Sequence, residues 1–330
     1  MDFLGIESVA FGAPDLKLAR KLFSDWGLKK IRDSRSGLEF ATCVGSRVIV
    51  QSENARGLRP RLSGGSQFRE VIFGVASKAH LQKIAANLAR DRDVATDPDG
   101  TIRCVDDSGI NIGFRVWKKQ PEKSDSAASW NGPGHRARVD NIAPFYERAV
   151  PWQMGHIVFF VPDTRVAEAF YRKRLGFWLS DRYVGGAGVF LRWAKKSEHH
   201  NIFFVKSRTG KTDLHHIAFE VRDVHEMFGG GLAFAAHGWK TEIGPGRHPI
   251  SSAYFWYFKN PLGGAIEYFC DPDYVSEKWK PHQYRVNRFS EWHLLDGIGK
   301  PDDGKVRPSF KAVKEMESGK RSFVPANSAS

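Results

Sequence analysis

The chain has 330 residues, of which 41% are hydrophobic and 26% are charged, a length that accommodates about two ordinary domains. The formal net charge is +13, but the basic residues are scattered rather than interleaved with aromatics, so nucleic-acid binding is not predicted. No apolar run approaches the roughly 20 residues that cross a bilayer, no basic segment opens the chain as in a signal peptide, and the three cysteines lie far apart. These features predict a cytoplasmic globular protein without disulfides and without a membrane partner.

The first part of the chain contains two similar units. Residues 5–33 alternate as a strand, turn at Pro14-Asp15, continue as an amphipathic helix that Asp15 can cap, and pass through glycine into another strand. A strand pattern at 68–77 precedes a second helical stretch, and the turn that opens 106–114 leads into a further strand. Residues 1–117 are therefore predicted to form a structural domain of paired βαβββ modules.

The same pattern returns after a break. Residues 118–151 are expected to be a linker, because 118–140 are rich in proline, glycine, serine and charge. Within 152–275, the segment 154–182 can be laid on 5–33, and the strands at 215–223 and 260–268 match 68–77 and 106–114. The fold class predicted is α+β, with two tandem domains of paired βαβββ modules and the working site in the second.

Two details of the second half lie outside the repeat. The triple glycine at 229–231 is expected to interrupt the helix that follows the 215–223 strand. Residues 276–330 form a polar C-terminal extension with a few aromatic anchors, and the end of this extension is expected to be disordered. Its role, whether cover for a pocket or a surface for assembly, stays open at this stage.

Three residues on predicted strands of the second domain form a candidate metal site: His156, His216 and Glu267. Two imidazoles and one carboxylate on one face of a metal, with the other face open, are the ligands of non-haem Fe(II) oxygenases. A lone histidine in a strand is more often an ordinary hydrogen-bonded residue, but an unpaired carboxylate in an apolar strand is costly.

The internal repeat provides a comparison for these three positions. The corresponding residues of the first domain are Ser8, Glu70 and Gly113, so only the second domain is expected to hold the metal.

Three segments then carry a resemblance: LHHIAFEVRD (214–223), GPGRH (244–248) and YFKNPLGGAIEYF (257–269). In this order they resemble type I extradiol ring-cleavage dioxygenases of the vicinal oxygen chelate superfamily, over about residues 3–275. The resemblance implies the glyoxalase-like fold of that superfamily, with His156, His216 and Glu267 as iron ligands. It also implies a homo-oligomer.

The resemblance further implies three residues beside the metal. His200 is similar to the acid/base histidine of the family, with His199 as a neighbouring alternative. His248 is similar to the histidine that bonds the substrate hydroxyl, and Tyr257 to the tyrosine that assists its deprotonation. On this basis Tyr257 or His248 would act as a base, and His200, titrating near neutrality, would supply a proton for cleavage of the O–O bond.

The function implied is ring cleavage of a catecholic substrate by O2, next to the vicinal diol, giving a muconic semialdehyde-type product. Fe(II) is the expected cofactor and Mn(II) an alternative, since the ligand set accepts both. Two other functions stay open: a lyase, isomerase or transferase of the same superfamily, similar to glyoxalase I or fosfomycin-resistance enzymes, and a non-catalytic protein that binds a planar aromatic compound.

Overall fold

A computed structural model describes residues 2–121, 131–286 and 288–298. Part of the expected linker (122–130) and the expected disordered end (within 299–330) lie outside the described residues. The first half contains an eight-stranded sheet in the order β2-β3-β4-β1-β5-β8-β7-β6. Its elements are β1 (Phe3–Ala13), α1 (Leu16–Asp25), β2 (Lys29–Asp33), β3 (Gly37–Ala41), β4 (Arg47–Ser52), β5 (Phe68–Val75), α2 (Lys78–Leu88), β6 (Ala95–Thr96), β7 (Ile102–Val105) and β8 (Asn111–Val116).

The second half repeats this arrangement in a ten-stranded sheet. A short hairpin, β9 (Asn131–Gly132) and β10 (His135–Arg136), precedes it. The sheet order is β21-β12-β13-β15-β11-β16-β19-β18-β17-β22, and β14 pairs with β20 apart from it. The elements are β11 (Gln153–Val161), α3 (Thr164–Lys173), β12 (Trp178–Tyr183), a 3-10 turn (Val184–Gly186), β13 (Gly188–Arg192), β14 (Ser197–Glu198), β15 (Ile202–Lys206), β16 (Asp213–Glu220), α4 (Val224–Ala236), β17 (Thr241–Arg247), β18 (Tyr254–Lys259), β19 (Ala265–Cys270), β20 (Tyr274–Val275), β21 (His282–Tyr284) and β22 (Trp292–His293).

The predicted α+β class of four βαβββ units is confirmed, and local chemistry explains where the helices begin. Asp15 accepts hydrogen bonds from the backbone N–H groups of Lys17 and Leu18 at the start of α1. Asp163 accepts one from Arg165 at the start of α3. Both are N-cap contacts that satisfy otherwise unpaired donors of the first helical turn.

The expectation that the triple glycine interrupts its helix is wrong. Helix α4 runs without a break from Val224 to Ala236. A side chain on Gly229 would collide with the carbonyl of Tyr146, and one on Gly231 would collide with the ring of Trp256. The glycines therefore persist in the helix because they let it pack closely on the sheet and on the preceding segment, which outweighs their weak helix propensity.

The two halves share apolar packing. Trp26, at the end of α1, stacks on Tyr268 of β19 with ring centroids 3.6 Å apart. The Tyr268 hydroxyl donates to the backbone carbonyl of Trp26 at 2.7 Å. No helix in the described part of the chain is long and apolar enough to span a membrane.

Candidate metal centre

The central strands of the second sheet bring three of the sequence-predicted residues into one row. His156 on β11 lies opposite Ala218 on β16, and Ala218 lies opposite Glu267 on β19. Glu267 in turn lies opposite Tyr257 on β18. Because side chains alternate between the two faces of a sheet, His216, two residues before Ala218, projects from the same face.

This register gathers the three candidate ligands. The Nε2 atoms of His156 and His216 each lie 3.2 Å from Oε2 of Glu267. One ligand atom from each residue lies within 4.8 Å of the others. All three residues are buried, and Glu267 is fully so. Strands hold such ligands rigidly, as a metal centre requires.

The chemistry of the cluster fits a divalent metal. Both carboxylate oxygens of Glu267 and Nε2 of His216 are buried without a hydrogen-bond partner among the described residues. Burial raises the pKa of Glu267, but its histidine neighbours, His156 and His216 foremost, outweigh this and hold the pKa well below its usual value. Burial lowers the pKa of His216, so its imidazole is neutral, as a ligand must be. Two imidazoles and a carboxylate suit Fe(II) and Mn(II).

The first sheet carries the equivalent row without the ligands. Ser8 on β1 lies opposite Ile72, and Ile72 lies opposite Gly113 on β8. Glu70, the counterpart of His216, accepts a hydrogen bond from Arg103 Nε at 2.8 Å. An ion pair with arginine therefore stands where the second half gathers metal ligands, and within residues 2–121 no group of candidate ligands lies together.

His199 and His200 have different surroundings. The His200 ring lies 4.5 Å from that of His156 and lines the cavity in front of the cluster. His199 is buried behind it, and its Nε2 lies 2.9 Å from Oδ2 of Asp181. The Nδ1 atoms of the two histidines are 3.2 Å apart. His200 is therefore the one that faces the candidate metal site.

The His200 environment corrects one expectation. Burial, together with His156 and His199, lowers the pKa of His200 well below its ordinary value, so this side chain does not titrate near neutrality. It is neutral at pH 7 and reaches the cavity as an uncharged imidazole.

His248 and Tyr257 lie at the other side of the cluster. The Nδ1 atom of His248 is 2.5 Å from the carbonyl oxygen of Phe289, which can only accept, so Nδ1 carries the proton. In the tautomer that this contact selects, Nε2 accepts from the Tyr257 hydroxyl, 3.2 Å away. Burial raises the pKa of Tyr257 well above its usual value, and Glu267 adds to the shift. Tyr257 thus stays protonated and is a hydrogen-bond donor rather than the base suggested by the sequence.

A cavity of about 600 Å³ opens in front of the ligands, and the C-terminal extension supplies part of its wall. Tyr284, Arg285, Val286, Arg288 and Phe289 all line it. From the sequence, Tyr284 is one of the aromatic anchors of the extension, but the other four residues were missed, because the extension has no counterpart in the first half. Its aromatic anchors were the only signal that it packs on the second domain.

Comparisons with known proteins agree with this geometry. The Glyoxalase/Bleomycin resistance protein/Dioxygenase superfamily profile matches residues 153–268, which include all three candidate ligands. The chain is 32% identical over 275 residues to metapyrocatechase 2 of Cupriavidus necator, and the match covers 82% of each protein. It is 35% identical over 168 residues to the manganese-dependent 2,3-dihydroxybiphenyl 1,2-dioxygenase of Geobacillus genomosp. 3, covering 46% of this chain and 51% of that one.

Among solved structures, the Mn(II)-bound glyoxalase from Novosphingobium aromaticivorans has the same fold. It superposes with a TM-score of 0.70 at 19% identity, over 91% of this chain and 93% of that one.

Proposed function

Because the chain belongs to the glyoxalase/bleomycin resistance protein/dioxygenase superfamily and, within it, to the extradiol ring-cleaving dioxygenases, we propose that it cleaves a catechol ring next to the vicinal diol. Both atoms of O2 enter the product, a ring-opened compound of the muconic semialdehyde type. The observation that carries this proposal is the buried cluster of His156, His216 and Glu267, whose unsatisfied ligand atoms lie beside a large cavity.

The cofactor proposed is Fe(II), held by these three residues. A divalent metal bound there would bind the diol and O2 and would lower the pKa of the diol. Mn(II) is the alternative, because it suits the same ligands and because a relative 35% identical over 168 residues is manganese-dependent.

The neighbouring residues would bind the substrate and move its protons. Tyr257, as a neutral phenol, donates its one hydroxyl proton to His248 Nε2, which leaves the phenol oxygen free to accept a hydrogen bond from a hydroxyl of the diol. His200 presents a neutral imidazole that can accept a proton from a substrate hydroxyl and release it as the O–O bond breaks. These roles are assigned from position and protonation state.

The two other functions have less support. A lyase, isomerase or transferase site that draws its ligands from two paired modules would need ligands in the first half, where Ser8 and Gly113 stand instead. A protein that only sequesters an aromatic compound would have no need for buried, unsatisfied ligand atoms.

The test is oxygen uptake, with ultraviolet–visible spectra, by anaerobically Fe(II)-loaded protein given a panel of catechols. We expect oxygen consumption equimolar with the catechol and a new yellow chromophore. The His216→Ala variant should lose both, and the matched variant His237→Ala, at an exposed histidine that ends α4, should keep them. Absence of uptake with every catechol, by protein that retains bound metal, would contradict the proposal. Parallel loading with Mn(II) distinguishes the two metals.

A further inference from the structure

Four basic side chains line the mouth of the metal cavity. Lys206 and Arg208 lie at the end of β15 and just after it, and Arg285 and Arg288 come from the C-terminal extension. All four are exposed, whereas the metal ligands are buried, so the positive charge lies at the outer end. Among the described residues that line this cavity there is no aspartate or glutamate. The result is a cavity with a candidate metal site at its inner end and four basic side chains, without an acidic one among the described lining residues, at its entrance.

The arginines at the mouth differ from many others in the chain. Arg247, close by, pairs with Glu291 of the extension at 2.5 Å. Within residues 2–121, 131–286 and 288–298, no carboxylate lies within ion-pair distance of Arg208, Arg285 or Arg288. Arginines elsewhere commonly have such a partner: Arg20, Arg47, Arg61, Arg92, Arg103, Arg115, Arg172, Arg174 and Arg182. Guanidinium groups without an internal partner are suited to bind an external carboxylate in bidentate fashion.

The space between the two ends is larger than one ring requires. The cavity volume of about 600 Å³ lies in the range of pockets that enclose drug-sized ligands, about 300–1,000 Å³. Its walls include Phe190 and Phe203, whose rings stack at 3.9 Å, and Phe289. This lining suits an apolar aromatic body and leaves the basic mouth as the place for a charged substituent.

We propose that the substrate is a catechol with a side chain that ends in an anionic group, a carboxylate or a sulfonate, bound by Arg208, Arg285 and Arg288. The inference rests on the proposed function, because it places the diol at the metal cluster. It adds a second recognition point at the far end of the cavity. The overall positive charge of the chain would also favour the approach of such a substrate.

The test compares side chains of equal length that differ in charge. Oxygen uptake gives kcat/KM for 3-(2,3-dihydroxyphenyl)propanoate, for its sulfonate analogue and for the neutral 3-propylcatechol. Anaerobic calorimetric titration of the same compounds gives Kd without turnover. We expect kcat/KM for at least one anionic compound to exceed the neutral value by about tenfold or more at low salt, with a matching difference in Kd. This preference should shrink as added NaCl screens the exposed charges.

Variants then identify the groups responsible. Arg208→Gln, Arg285→Gln and Arg288→Gln should each reduce the anionic-to-neutral ratio, and the triple variant should bring it close to one. Arg90→Gln removes the same charge from an exposed position after α2, far along the chain from the cavity, and should leave the ratio unchanged.

Failure of the substrate inference and failure of the proposed function give different results. If the wild-type protein consumes oxygen with 3-propylcatechol and shows equal kcat/KM and Kd for the charged compounds, the substrate inference is overturned and ring cleavage stands. If no catechol supports oxygen uptake, the proposed function fails. Equal Kd values for the charged and the neutral compounds would in that case overturn the anion subsite as well. A preference retained in full by the triple variant overturns the assignment to these arginines.

Discussion

The Nδ1 atom of His199 lies 3.2 Å from the Nδ1 atom of His200, so two histidines adjacent in sequence form a hydrogen-bonded pair. The direction of this bond follows from Asp181. Its carboxylate accepts from His199 Nε2 at 2.9 Å, and in the tautomer that this contact selects the other ring nitrogen, Nδ1, is an acceptor. His200 Nδ1 must then carry a proton and donate it to this bond. His200 Nε2 is consequently unprotonated, and the imidazole can act as a base toward the cavity.

The Asp181 carboxylate, which sets the protonation of these two histidines, is itself held in place by hydrogen bonds. Burial raises the pKa of Asp181, but hydrogen bonds from His199 and from the backbone N–H of His282 outweigh it, so the pKa lies below its usual value. The hydrogen bond from the His282 N–H to Asp181, 2.6 Å long, joins strand β21 of the C-terminal extension to β12. The extension therefore supports the protonation order behind the cavity as well as lining its mouth.

Replacement of Asp181 by asparagine is expected to lower kcat about 10–100-fold while the metal content stays unchanged. The amide lacks the charge that fixes the His199 tautomer, so His200 Nε2 would become protonated in part of the molecules. The pH profile of kcat should change with it. Because both residues act through the imidazole of His200, kcat of the Asp181→Asn/His200→Phe double variant should be scarcely lower than kcat of His200→Phe alone. Additive losses would show that Asp181 acts independently of His200.

Metal binding should stabilise the protein through Glu267. A ligand at 100 times its Kd stabilises the folded state by about 2.7 kcal/mol, which scanning calorimetry detects as a rise in Tm. Glu267→Gln should abolish this rise with Fe(II) or Mn(II). In the metal-free state the same variant should be less stable than the wild type near pH 7, because the histidine contacts that hold the pKa of Glu267 below its usual value favour its charged form in the folded protein. An equal rise in Tm for the variant would place the metal elsewhere.

Asp106 should make stability pH-dependent. It lies in the first half and accepts a hydrogen bond from the Tyr171 hydroxyl of α3 at 3.1 Å. Burial raises the pKa of Asp106 to about 6. Because this folded-state pKa lies above the unfolded value, the folded state holds the proton more tightly. The contribution of Asp106 to the free energy of unfolding is therefore fully present at low pH. It falls by about 3 kcal/mol as the pH rises from about 4 to about 6.

Asp106→Asn mimics the protonated form and should lack this loss. The measurement is urea unfolding of both proteins across that pH range, in which the difference between their free energies of unfolding isolates the one titration. At pH 7 the variant is expected to be the more stable protein. If the free energies of unfolding of the two proteins changed with pH in parallel, Asp106 would have an ordinary pKa.

Gly231→Ala should destabilise the protein, although alanine is the better helix former by about 1 kcal/mol. The added methyl group would collide with the fully buried ring of Trp256. Overpacking of this kind costs about 1–3 kcal/mol, so a net loss is expected in urea unfolding at unchanged m value. A gain in stability would show that the α4 helix can move away from the sheet at little cost.

The sequence by itself determined the parts of this protein that depend on local pattern. Period-two alternation and Pro-Asp turns identified the repeated βαβββ units, because such patterns reflect which face of a strand or helix is buried. The internal repeat also pointed to His156, His216 and Glu267, since the first half has Ser8, Glu70 and Gly113 at the same register.

Only the tertiary structure decided features that depend on contacts between distant segments. The different surroundings of His199 and His200 follow from Asp181, 18 residues away in sequence. The uninterrupted α4 helix depends on how closely Trp256 approaches it, which overrides the low helix propensity of glycine. The protonation of His200 and Tyr257 depends on burial, because removal from water disfavours the charged form of each. None of these quantities is a property of a local sequence window.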